Sequence, residues 1–269
     1  MLGLIQEQLD ENCGLTLCNL IAIVRDQFGI TVCVGTMHNA IGKFRYSLKR
    51  VQNIAIAADT PQNEALRLEF ARWYLRVTLA GRKIIFIDEV GFQLNMRLSQ
   101  GRSPIGVRAQ NRVPAIRTRN MNVMAAIHDA GMTHFSILQR NSNAEECAHF
   151  IDDLAAARDR LQIPADAIIV LDNVRFHHSA IVIEMLELRG FEHKFLPPYS
   201  PFFNGIECMF SEWKHYVKVG LQGHRARDEA DLQERIRAFQ LVPGHAAAYC
   251  LHVANNCVSF IDGVRIFDN

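Results

Sequence analysis

The sequence predicts a mixed α/β protein built around one sheet, with a small helical unit ahead of it. Three observations carry that prediction. Ile84-Ile85-Phe86-Ile87 and residues 167–171 are apolar at every position, as central strands covered on both faces are. Strand-like segments follow one another from residue 84 to 139, after which strands alternate with helical periods, the order of a mixed sheet. Ahead of them, two helical patterns are joined by a short turn containing Gly29.

With 269 residues and 49% apolar composition, the chain can bury a full core and has room for one large domain plus a small one. No run approaches the roughly 20 apolar residues that span a bilayer. Met1 to Asp10 lacks the plan of a signal peptide, so an intracellular protein without a membrane partner is expected. Cys13, Cys18, Cys33, Cys147, Cys208, Cys250 and Cys257 form no CxxC pair. That pattern indicates neither a zinc cluster nor a disulfide framework, and fits buried thiols. A net charge of +1 hides two one-signed stretches. Between Val90 and Ile127 stand Arg97, Arg102, Arg108, Arg112, Arg117 and Arg119, with no lysine and no acid. Gln27 to Ala58 holds Lys43, Arg45, Lys49 and Arg50, again without an acid.

Residues 16–28 place apolar side chains at 17, 20, 21, 24 and 28, one face of a helix with Thr16 as N-cap and Gly29 as its end. A second helix over about Val34 to Phe44 completes a helix-turn-helix pattern, in which His38, Asn39 and Lys43 would face a DNA groove and the basic run with Arg45 follows directly. A small helical subdomain without a ligand has the same pattern. Asp59-Thr60-Pro61 starts a connecting helix that Gly81 ends, with Leu66, Phe70, Trp73, Leu75 and Val77 to dock it. Strands are expected at 84–88, about 91–96, 121–128 and 132–139. A helix over Asn143 to Leu161, a buried strand at 167–171, a helix at about 179–189, a strand at about 192–196 and a helix from 204 to about 219 follow.

The two central runs each end on an aspartate, Asp88 and Asp172. If those strands are neighbours, about 4.8 Å apart, both carboxylates reach a shared cation. A third acid, Glu207, opens the helix after a Pro-rich turn. Phe203, Ile206, Phe210, Trp213 and Val217 form that helix's buried stripe, and Asn204, Glu207, Ser211, Lys214 and Lys218 form a second stripe beside it. Docked by its aromatic face, the helix shows one acid for a metal and two lysines, Lys214 and Lys218, for a phosphate backbone. An amphipathic helix with a solvated polar face reads the same way.

Longer matches separate these readings. Phe86-Ile87-Asp88-Glu89, Leu171-Asp172-Asn173 with His177, and Leu196-Pro197-Pro198-Tyr199-Ser200-Pro201 through Asn204 and Ile206-Glu207 to Trp213 resemble the three signature blocks of the Tc1/mariner and IS630-type transposases of the DDE superfamily. Thirty-four residues lie between Asp172 and Glu207, the spacing typical of that family. The resemblance covers roughly residues 83–220, and residues 16–44 with their basic tail are similar to the family's second DNA-binding motif. It implies an RNase H-like mixed sheet flanked by helices, in which Asp88, Asp172 and Glu207 bind two Mg²⁺ or Mn²⁺ ions and are catalytic.

On that basis the expected organisation is a helix-turn-helix unit at 1–58, a helical linker at 59–82, a catalytic domain at 83–220 and a helical segment at 221–269. Asn173, His177 and Asn204 are expected to support the acids. Asn173 and His177 would orient Asp172, contact the scissile phosphate, or cap the following helix. Glu89 points away from Asp88 on the opposite face of the strand. Tyr199, Ser200 and Pro201 shape the turn that aims Glu207. Arg102, Arg108 and Arg112 would contact DNA or a partner subunit, or form a solvated basic face. The implied partners are double-stranded DNA, both terminal repeats and target, and a second copy of the chain. The location would be the nucleus in a eukaryotic host and otherwise the cytoplasm.

The family usually carries two helix-turn-helix units, of which one fits here, and Gly205 stands where proline is common. Two other functions share parts of this pattern: a non-catalytic DNA-binding protein derived from a transposase, and a repair or recombination nuclease of the same broad fold.

Overall fold

Thr16 and Gly29 bracket the first helix that the sequence predicts, Thr16 through its side-chain oxygen and Gly29 through its backbone conformation. The computed structural model describes residues 1–49, 56–94, 96, 103–108, 110, 120–138, 142–161, 163–221 and 228–264. The chain divides into two units, Met1–Ile56 and Ala57–Asn269. In the first, helices α1 (Leu2–Glu11), α2 (Leu17–Phe28) and α3 (Val34–Lys43) enclose a small core of Ile5, Leu20, Val24 and Met37. Thr16 and Asn19 form a reciprocal capping box at the start of α2, and Gly29 ends it at φ 68°, where a side chain would be strained. Helix α1 is an addition to the two helices expected. Its signal is the spacing of Leu2, Ile5 and Leu9, of which Ile5 is buried.

The second unit contains α4 (Pro61–Leu79), β1 (Ile84–Gln93), β2 (Asn120–His128), β3 (Gly131–Leu138), α5 (Ala144–Ala156), β4 (Ile168–Leu171), α6 (Ala180–Leu188), β5 (Glu192–Phe195), α7 (Ile206–Gly220), α8 (Glu229–Arg237) and α9 (His245–Ile261). The strands form one sheet in the order β3-β2-β1-β4-β5. The β1–β2 and β2–β3 pairs are antiparallel, while β1–β4 and β4–β5 are parallel. The two strands expected at 84–88 and 91–96 are a single strand. Gly91 does not interrupt it, because the ladder to β2 runs through Val90↔Val123 and Gly91↔Asn122 to Gln93↔Asn120.

Parity along the central strands sets the layers. Ile84, Phe86, Val90 and Phe92 of β1, with Ile168 and Val170 of β4, pack with residues of α4, α7, α8 and α9. Ile85 and Ile87, with Ile169 and Leu171, pack with residues of α5 and α6 on the other face. Both faces are covered, which is why these runs carry no polar residue until they reach an aspartate. Helix α4, expected as a linker, is part of the first of these layers. Its buried face is Arg67, Phe70, Ala71, Tyr74 and Val77, whereas Leu66 is exposed.

Helix α7 is held by its aromatic stripe. Trp213 is fully buried, stacks on Phe239, meets Phe92 and Phe135 edge-on, and donates from Nε1 to the Ile236 carbonyl at 3.2 Å. At one edge of the sheet, β5 carries Glu192 paired with Arg82 and Lys194 paired with Glu69. No described helix is long and apolar enough to cross a membrane.

Trp213→Ala is expected to destabilise the protein by about 3–5 kcal/mol, the usual range for emptying a buried aromatic site. Denaturant unfolding followed by circular dichroism measures this, and a loss under about 1 kcal/mol would mean that α7 is held mainly by other contacts.

Candidate active site

Strands β1 and β4 run parallel with Ile84 opposite Ile168 and Ile87 opposite Leu171, so the next residue on each is an aspartate. Strand β4 stops there while β1 continues, and a cleft opens at the step. Asp88, Asp172 and Glu207 all line it, together with Asn173, Val174, Asn204 and the Leu196–Pro201 turn, around about 390 Å³ of space.

Asp88 lies on the even-numbered face of β1, toward α7, and is nearly buried. Its Oδ1 accepts from the Glu89 backbone N–H at 2.7 Å and its Oδ2 from Asn204 Nδ2 at 2.8 Å. Burial first, then the neighbouring Asp172, push its pKa from the usual 3.8 up to about 8. Asn204 is also buried, and its own Oδ1 has no hydrogen-bond partner.

Asp172 is held differently. One oxygen, Oδ1, accepts from the Val174 N–H at 3.2 Å and from His177 Nδ1 at 2.7 Å. His177 is fully buried, and its Nε2 lies 3.3 Å from Glu89 Oε1. Burial alone would lower the ring's pKa, but bonds to Asp172, Cys147 and Glu89 outweigh it and raise the value far above the ordinary one. With both ring nitrogens facing carboxylates, both are donors and the ring is a cation. Glu89, on the opposite side of β1 from Asp88, thus reaches Asp172 through His177. Asn173, exposed at the cleft, bonds His178 Nε2 through its Oδ1 at 2.6 Å.

Glu207 stands in the first turn of α7, exposed at the cleft. Desolvation raises its pKa, Lys214 opposes that, and Asp172 adds to it. Lys214 and Lys218 follow on the same edge of α7, both half-buried. Gly205 permits the close approach of this helix start to β1: a Cβ there would meet Phe86 at 3.2 Å and Val253 at 3.5 Å.

The turn that delivers α7 is gripped from two helices. Arg67 of α4, 1% exposed, donates from Nε to Ser200 Oγ at 3.0 Å and from Nη2 to the Tyr199 carbonyl at 3.3 Å. Asn256 of α9 donates to the Phe202 carbonyl at 2.8 Å. Neither residue is among those expected from sequence. Arg67 had a signal, since it heads the i, i+3, i+4, i+7 stripe of α4 that Phe70, Ala71 and Tyr74 continue. Asn256 had none.

In the first unit, His38, Asn39 and Lys43 are exposed on α3, on the side away from buried Met37, and Arg45 is exposed just beyond it with φ 61°. Arg108 is exposed; Arg102 and Arg112 lie outside the described residues.

The donors suit a hard divalent cation. They are all oxygen, they include a carboxylate that burial first and neighbouring acids second make costly to ionise, and the unpartnered Asn204 Oδ1 adds a neutral one. The acids share the cleft without closing on a common point. Among the described residues no three His, Cys, Asp or Glu side chains are grouped tightly enough to hold one ion.

A family model described as DDE superfamily endonuclease matches residues 83–233. No curated protein matches the chain by sequence. Among solved structures, the Mos1 transposase paired-end complex with the left transposon end is similar at a TM-score of 0.75, with 15% identity over 98% of this chain and 78% of that one. The Mos1 mariner paired-end complex with Mn gives 0.74, with 14% identity over 99% and 79%. The catalytic domain of Mos1 mariner transposase gives 0.57, with 14% identity over 80% and 98%. At such identities the likeness is one of fold, and the expected RNase H-like mixed sheet is the fold observed.

Asp88→Asn is expected to stabilise the metal-free protein at neutral pH. The folded state holds the Asp88 proton more tightly than the unfolded chain, so the wild type loses stability as pH rises from about 4 to about 8. Below that window both forms are neutral and the advantage of the variant vanishes. Melting temperatures measured from pH 4 to 8 check this, and an advantage that does not grow with pH would contradict it.

Proposed function

This chain belongs to the DDE superfamily of endonucleases, and from that premise we propose that it is a Tc1/mariner-type transposase. It would cut phosphodiester bonds at the ends of a mobile DNA element and join those ends to a target. The register of β1 and β4 carries this reading, because it sets Asp88 beside Asp172 in the cleft that Glu207 also lines.

Asp88, Asp172 and Glu207 would hold two Mg²⁺ or Mn²⁺ ions, which when bound activate water or a DNA 3′-hydroxyl and stabilise the leaving oxygen of an in-line displacement. The chain's own residues do the positioning. Asn204 and the Glu89 N–H fix both oxygens of Asp88. His177, braced from its other side by Glu89, holds Oδ1 of Asp172 and leaves its other oxygen for a ligand. Lys214 and Lys218 lie on the Glu207 edge, where a phosphate backbone entering the cleft would pass.

His38, Asn39 and Lys43 on α3, with Arg45, would engage a duplex groove, and Arg102, Arg108 and Arg112 would contact DNA or a second copy of the chain. The similarity to Mos1 complexes described as paired-end, with a transposon end and with Mn or Mg, supports DNA and divalent metal as partners. A second copy of the chain would join them, since two ends must be handled together. Its workplace would be the nucleus of a eukaryotic host, and otherwise the cytoplasm.

The test is nicking of supercoiled DNA. Wild type is expected to nick with Mg²⁺ or Mn²⁺ and not with chelator, and Asp88→Asn, Asp172→Asn and Glu207→Gln each to abolish it. Cutting at the wild-type rate by any of the three rejects that acid. DNA binding without metal uptake in calorimetry would favour a non-catalytic descendant. Lys43→Ala and Arg108→Ala are each expected to flatten the plot of log affinity against log salt by about 0.9. An unchanged slope removes that residue from the DNA contact.

A further inference from the structure

The cleft has a second character beside its acids. Its other lining includes Val174, Leu196, Pro197, Pro198, Tyr199 and Pro201, an apolar surface continuous with the carboxylates. At about 390 Å³ the space falls near the lower end of small-molecule pockets, room for one nucleotide and not for a duplex.

Tyr199 is the unusual member. Its φ is 53°, in the left-handed region, which costs free energy for a bulky side chain and normally selects Gly or Asn. The turn therefore does not explain the tyrosine. Packing does not explain it either, since the residue is 51% exposed and its ring has no aromatic partner among the described residues. Yet the backbone under it is held with care. Buried Arg67 bonds its carbonyl and the next side chain, and Pro198 and Pro201 restrict the chain on either side. An aromatic ring carried on a strained, firmly held backbone at the edge of an acid cleft is a stacking platform whose base is set before its ligand arrives.

We propose that this side of the cleft is a subsite for one unstacked DNA base beside the phosphate being cut, with the Tyr199 ring as its stacking surface. The proposal rests on the phosphodiester-cutting reading above. Stacking suits the substrate because every base has a flat π-face, so the platform binds without demanding a sequence. It also explains why the apolar wall adjoins the acids: a base displaced into it leaves its own phosphate at the carboxylates.

The experiment compares labelled duplexes whose central segment carries either normal nucleotides or abasic sites on the labelled strand, cut by the full chain in Mn²⁺. Wild type is expected to cut within the intact segment with a kcat/KM about tenfold above that for the abasic one, the scale of a single base–aromatic stack. Tyr199→Gly, which accepts the turn's φ without strain, should cut both equally, at the abasic level. Tyr199→Phe, which keeps the ring, should restore the discrimination. Equal losses on both duplexes in Tyr199→Gly, or no discrimination by wild type, would overturn the subsite and leave Tyr199 a turn residue.

Absence of Mn²⁺-dependent cutting that Asp88→Asn abolishes would instead strike the underlying reading. The stacking can then still be read without cleavage. On the Asp88→Asn background, 2-aminopurine in a bound strand should be quenched, and the quench lost with Tyr199→Gly. Equal fluorescence in both proteins would also overturn the proposal.

Discussion

Two aspartates are forced side by side by the register of two parallel strands, and most of the second unit can be understood as a response to that. Like charges at one strand spacing, with burial on one of them, are unfavourable unless something compensates. Two kinds of compensation are built in. Asp88 receives neutral donors, the Asn204 amide and a backbone N–H, while Asp172 receives a cation, His177, whose charge is shared with Glu89. The two carboxylates thus have different neighbours, although they come from adjacent strands with the same pattern.

The third acid depends on a longer chain of contacts. Glu207 is placed by α7, α7 by Trp213 on the sheet and by the close approach at Gly205, and the start of the helix by a turn fixed from α4 and α9. Arg67 is the costly part of this arrangement. Burial lowers its pKa, with Asp59 and Glu64 acting against that, so a charged group is kept out of water in order to hold two residues of a turn. Such a group fixes geometry more than it adds stability.

Much of this was legible in the sequence, for physical reasons that also mark where legibility ended. Thr16 and Gly29 set the ends of α2 through local backbone chemistry, which a sequence states directly. The all-apolar runs announced strands covered on both faces, and the three motif blocks with their spacing pointed to Asp88, Asp172 and Glu207 before their shared cleft was known. What the sequence concealed was long-range. The division expected between 88 and 91 is absent because Glu89 and Val90 pair with Met124 and Val123. Helix α4 reads as a connector in sequence, yet it packs on the sheet with a buried stripe that begins with an arginine, while Leu66, apolar in sequence, faces out. The bridge from Glu89 through His177 to Asp172 joins residues far apart in the chain, and no local period encodes it.

The outermost strand at one edge of the sheet has its own consequence. Strand β5 is four residues long, and both Glu192 and Lys194 are tied into ion pairs with side chains outside the strand. Charged, short edges make poor templates for strand addition. Another chain seeking to extend the sheet at β5 would gain a ladder of only four residues beside charged side chains. Self-recognition by this protein is therefore steered away from that margin, which protects a folded population from fibrous association.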